Sequence, residues 1–187
     1  MVLPMNKGAI LGNLGLVADW LRVKHPGSVF ELVVAGGAAL ALLDIERATL
    51  DVDVLVPETL PRQLVDAARA VAGARGLGPE WLSDGVARVL KQARGGRRLP
   101  RYFVERAARI EVADNLTVWV LGRQALISLK LLAASPSERK HIRDLHALAP
   151  TRAEIRRARD FVLALDASAP RREDLALVLR ELGVQPR

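Results

Sequence analysis

Cysteine is absent from the chain, which excludes disulfides, thiolate metal sites and a cysteine nucleophile together. Histidine is scarce: with only His25, His141 and His146, a histidine-built metal cage has too few ligands. Aromatic residues make up 4%, so no platform for stacking bases is evident. Long apolar runs are missing as well. The longest uncharged stretch, Leu32 to Leu43 (LVVAGGAALALL), contains two glycines and falls short of the ~18 residues a membrane span needs. Near the start, Lys7 precedes an apolar stretch in the manner of a signal peptide. However, Ile10, Leu14, Val17 and Leu21 recur at helical spacing, Asn13 interrupts the run, and no small-x-small cleavage site follows. We expect an amphipathic first helix and a cytoplasmic protein. No internal repeat or low-complexity segment is present.

What remains is a chain of 187 residues, 50% hydrophobic and 26% charged, which excludes wholesale disorder. At that length about 70% of the unfolded surface can be buried without a covalent or metal staple. Lys and Arg number 28 against 21 Asp and Glu, a formal charge of +7. That balance favours polyanionic partners such as nucleic acid or nucleotide phosphates.

Local patterning predicts an α/β half followed by a helical half. A helix over 9–25 stops at Pro26-Gly27. Val29 to Val34 (VFELVV), bounded by Gly27 and Gly36-Gly37, reads as a buried strand, and a short helix follows over Ala38–Leu43. Thr49 to Val56 alternates, with Leu50, Val52 and Val54 on one face and Asp51 and Asp53 on the other. A helix over 62–72, a loop over 73–78 and a helical stretch over 80–94 come next, then a basic connection over 94–101. Extended runs at Ile110–Val112 and Leu116–Leu121 flank a turn at Asp114-Asn115. Helices are expected over 124–134, from Ser135-Pro136, from the capping box Thr151-x-x-Glu154, and over 173–182.

The chemical signal is the aspartate pair. At i and i+2 of a strand, Asp51 and Asp53 point the same way, ~7 Å apart. Like charges so placed repel unless a cation sits between them, and Mg²⁺ takes such hard oxygens while keeping positions open for phosphates. A solvated strand face is the ordinary alternative. Gly36-Gly37 adds a second signal at a strand-to-helix junction, where glycine lets backbone amides approach a phosphate. Lys130 adds a third, as the only charge between Arg123 and Glu138. A buried ammonium needs an anion, which a phosphate would supply, or else its stem lies on apolar surface and its head in water. For Asp144 the ordinary alternative is a helix pair with Lys140.

The stretch VVAGGAALALLDIERATLDVDVLV resembles the Gly-[Gly/Ser] and Asp-x-Asp pattern of the polymerase-β-like nucleotidyltransferase superfamily. LISLKLLAASPSERKHIRDLHAL, Leu126 to Leu148, resembles the second signature of AbiEii/AbiGii-type toxin nucleotidyltransferases. There a lysine on an apolar helix precedes an Arg-Lys-Asp-x-x-Asp-Leu run. The resemblance implies an α+β fold, with a small mixed nucleotidyltransferase sheet flanked by helices over 1–122. A C-terminal helical region over 123–187 would pack on that core. It further implies Gly36 and Gly37 as the triphosphate loop, Asp51 and Asp53 as ligands of Mg²⁺ or Mn²⁺, and Arg47 and Thr49 bordering the nucleotide. Lys130 would bind triphosphate and Asp144 would complete the essential set. The implied activity is transfer of a nucleoside monophosphate from an NTP to a tRNA 3′ end, as the toxin of a toxin–antitoxin pair, with a cognate antitoxin as protein partner. A small-molecule or protein acceptor, or a degenerate relative that binds without turnover, is the alternative. His141 stands where the family more often has aspartate. Glu111 is the candidate for the third carboxylate that many superfamily members carry. Two arginine clusters, around Arg97, Arg98 and Arg101 and around Arg152, Arg156, Arg157 and Arg159, would suit an RNA backbone, although a solvated surface is the more ordinary reading of either one.

Overall fold

The computed structural model describes residues 4–45 and 48–184 of the chain. Among these lie eight α-helices and a mixed five-stranded sheet, an α+β fold that ends in helices. The chain divides into two compact units. One comprises Met1–Gln92 and Arg106–Leu121, and the other Ala93–Glu105 and Gly122–Arg187. The helical unit thus takes in 93–105 besides the residues from Gly122 onward.

The first unit holds the sheet. Its helices are α1 (Lys7–Lys24), α2 (Gly36–Leu42), α3 (Arg62–Arg75) and α4 (Gly85–Arg94), the last running into the second unit's segment. Its strands are β1 (Phe30–Val34), β2 (Val52–Val56), β3 (Leu82–Ser83), β4 (Arg106–Ala113) and β5 (Leu116–Leu121), in the spatial order β3-β2-β1-β5-β4. β1 is central, antiparallel to β2 and parallel to β5. Leu32, Val33 and Val34 of β1 are therefore buried consecutively, as a strand covered on both faces requires. β4 lies at an edge, and its exposure alternates along the strand. The first helix sends Ile10, Leu14, Val17 and Leu21 into the core, the predicted stripe.

Regular pairing of β2 begins three residues later than the alternation predicts. Thr49 pairs instead with Met5 through two backbone hydrogen bonds, of 2.6 and 3.0 Å. Leu50 is consequently 53% exposed rather than on the buried face with Val52 and Val54. The stretch over 80–94 is not helical throughout. Trp81 is buried and its indole N–H donates to the Ala68 carbonyl, which draws Leu82–Ser83 alongside β2 as β3. The helix over 62–72 runs on to Arg75 and ends at Gly76, whose φ of 66° is the left-handed cap.

The second unit is helical: α5 (Arg123–Ala133), α6 (Arg139–Leu148), α7 (Arg152–Leu165) and α8 (Ala169–Glu181), with a 3-10 turn at Arg101–Val104. α5 is its centre. Residues Gln124 to Leu131 are all buried, and α6 and α7 pack on them. Helix α6 starts at Arg139, because Ser135 and its neighbours form a turn in which the Ser135 hydroxyl accepts from the Glu138 amide. Thr151 and Glu154 make the predicted capping box. The Arg171 guanidinium donates to the carbonyls of Leu131, Leu132 and Ala134, which satisfies the open end of α5. No helix of the described residues is long and apolar enough to cross a membrane.

Candidate nucleotide site

Asp53 and the glycine loop come together because β2 runs antiparallel to β1. The Ala35 amide donates to the Asp53 carbonyl at 2.8 Å, so the turn out of β1 lies beside β2 at that residue. Gly36 follows at φ 67°, a left-handed conformation that glycine adopts without cost. A methyl built on Gly36 would sit 2.1 Å from Asp53 Oδ2 and 3.0 Å from its Cγ. Only glycine leaves room there for the carboxylate. Gly37 is buried in the first turn of α2.

Asp51 stands exposed just ahead of β2, and Asp53 is half-buried within it. Val52 and Val54, on either side of Asp53, are fully buried. Thr49, itself buried, donates through its hydroxyl to Asp51 Oδ1 at 3.0 Å. Since the Met5 bridge fixes the Thr49 backbone, the hydroxyl has a set origin from which to orient Asp51. Thr49 thus touches a carboxylate in this structure. Arg47 lies outside the described residues.

Two carboxylates fit a Mg²⁺ ion, which binds through one or two protein oxygens and keeps water and phosphate for the rest. Among the described residues no group of three or more Asp, Glu or His is placed to hold a metal. Glu111 does not extend the pair. It lies on β4, ion-paired with Arg109, while β1 and β5 separate that strand from β2, about 14 Å at ~4.8 Å per strand. Its register is also wrong: Glu111 is opposite Thr117, which faces Glu31, whereas the Asp53 end of the sheet is the row of Val34 and Val120.

Residues that the sequence did not single out occupy that end. Ser83 pairs with Asp53 across β2 and β3. Arg106, opposite Leu121, is half-buried, and burial holds its guanidinium below the ordinary arginine value. A two-residue strand has no period to detect, and Arg106 was one of many arginines in a basic stretch.

Lys130 and Asp144 belong to the helical unit and meet each other. The ammonium of Lys130 is 2.7 Å from Asp144 Oδ2, with both side chains buried. The partner that a buried lysine requires is thus Asp144, and Asp144 faces α5 rather than forming a surface pair with Lys140. His141 flanks the pair, its Nδ1 4.0 Å from Asp144 and its Nε2 3.6 Å from Glu138.

A family model described as a nucleotidyltransferase of unknown function (DUF6036) matches residues 15–154, more than half of the chain. That match supports the nucleotidyltransferase likeness and does not extend to the AbiEii/AbiGii toxin group. No curated protein and no solved structure matches the chain.

Proposed function

The chain belongs to the nucleotidyltransferase family DUF6036, and from that premise we propose that it transfers a nucleoside monophosphate from an NTP to an acceptor hydroxyl at Asp51 and Asp53, where β2 begins. One observation carries this placement: the left-handed turn at Gly36 lies directly against the Asp53 carboxylate, in a position where a side chain would displace it. Asp51 and Asp53 would hold Mg²⁺ or Mn²⁺, which when bound neutralises charge gathering on the phosphates. Thr49 orients Asp51, so one carboxylate is fixed before substrate arrives. Gly36 and Gly37 let the triphosphate approach the backbone. Positioning of this kind is most of what phosphoryl transfer asks of a protein. The acceptor oxygen bonds to the α-phosphorus and gives up its proton, while the bond to the β-phosphate breaks and pyrophosphate leaves. Lys130 and Asp144, the remaining residues of the implied set, pair with each other within the helical unit.

For the acceptor we propose the 3′ end of tRNA, and for the biological role the toxin of a pair with a cognate antitoxin. The formal charge of +7 and the likeness at Leu126 to Leu148 support that reading. The test offers each α-labelled NTP with Mg²⁺ or Mn²⁺, total tRNA, protein and small hydroxyl compounds. Label on tRNA is the expected result. Label on a small molecule or protein overturns the acceptor, and binding without transfer to any acceptor marks a relative that has lost turnover.

A further inference from the structure

An arginine-lined pocket of about 320 Å³ lies within the helical unit, at the lower end of small-molecule sites (~300–1,000 Å³). Arg94 lines it from the end of α4, Arg97 and Arg98 from the connection that follows, and Arg157 from α7, with Asp160 as the one acidic lining residue. Its apolar wall includes Leu99, Pro100, Phe161 and Leu165. The arrangement is built into the chain. Gly95 and Gly96 both take positive φ, 53° and 84°, which turns the backbone so that arginines on either side of them reach one cavity. Arg97 is anchored, donating to the carbonyls of Arg94 and Ala164. The wall is anchored too: Phe161 packs on Phe103 with ring centroids 5.0 Å apart, and the Tyr102 hydroxyl meets Ser128. Arg98 and Arg157 are exposed and have no ion-pair partner among the described residues.

We infer that this pocket binds a nucleoside phosphate unit, with phosphate on Arg98 and Arg157 and the ring against the apolar wall. Guanidinium forks match phosphate oxygens, and their flat faces also stack on bases. An anion alone would need no apolar wall, and an apolar ligand would leave two guanidiniums unanswered. The unit has two sources, a free nucleotide or the terminal nucleotide of an RNA strand. The inference deepens the transferase reading, on which it rests for calling this unit an acceptor; the binding itself needs no metal.

Binding of AMP, of a single-stranded RNA hexamer and of inorganic phosphate to the full chain is measured with EDTA present, so that metal-dependent NTP binding is silent. At least one nucleotide probe is expected to bind ten times more tightly than phosphate. R98Q/R157Q should weaken it tenfold or more while leaving Mg²⁺-dependent NTP binding within twofold of wild type. A preference for the hexamer identifies a strand end, and a preference for AMP a free nucleotide. Wild-type affinity in the double variant, phosphate binding as tightly as both nucleotide probes, or no binding of either overturns the inference. Pocket binding in a protein that transfers no nucleotide removes the acceptor role and with it the transferase reading, while the binding stands.

Discussion

At Gly36 the backbone and the candidate chemistry meet in one residue. G36A forces a left-handed alanine, about 1–2 kcal/mol, and sets its methyl into the Asp53 carboxylate. Gly76 has nearly the same φ, 66°, with nothing near its absent side chain. G76A should therefore lose a similar backbone energy in a denaturant melt yet keep wild-type Mg²⁺–NTP affinity, whereas G36A should lose both. A different balance governs Lys130. Removing it leaves Asp144 buried without its partner, so K130A should lower stability by roughly 3–5 kcal/mol. K130M/D144L should recover most of that loss in the same melts. If K130A melts at or above wild type, the pair contributes nothing and the lysine is there for another reason. The Gly-Gly and Asp-x-Asp spacing made Gly36 and Asp53 legible as neighbours. The Thr49 hydroxyl was not legible as a support for Asp51, because that contact depends on a bridge to Met5 forty-four positions away.

Among the elements, those with a full period or a chemical punctuation mark were readable. Helix α1 showed its stripe, and α7 its capping box. β3 escaped because two residues carry no alternation, and α6 was placed early because Ser135-Pro136 reads as a helix start but forms a turn. The start of α7 also ties the helical unit together. Glu154 closes the box with Thr151 and receives the Arg123 guanidinium. Burial raises the Glu154 carboxyl, but hydrogen bonds from Arg123 and Thr151 outweigh it and hold the group below the ordinary glutamate value. A depressed folded value means that its stabilisation is complete above the unfolded value, ~4.3, and is lost as pH falls through the folded one. E154Q should thus be less stable than wild type at pH 7, with the gap narrowing below pH 4. T151A should cost about 1 kcal/mol through the cap itself. A gap for E154Q that stays constant down to pH 3 would remove the charge from this account.

For the whole molecule the governing quantities are the +7 charge and the carboxylates where β2 begins. If the acceptor is tRNA, its affinity should fall steeply with salt, with a log–log slope of roughly −0.7 to −0.9 per phosphate contact. A small acceptor would be nearly indifferent to salt. Whatever the acceptor, Asp51 and Asp53 are the proposed metal–NTP site. The most direct test compares thermal shifts of wild type, D51N and D53N, each with the four NTPs in turn and with or without Mg²⁺. Wild type should gain Tm with at least one NTP only when Mg²⁺ is present. The variants should melt cooperatively on their own and gain nothing. Equal ligand-induced shifts in wild type and in both variants would contradict the assignment.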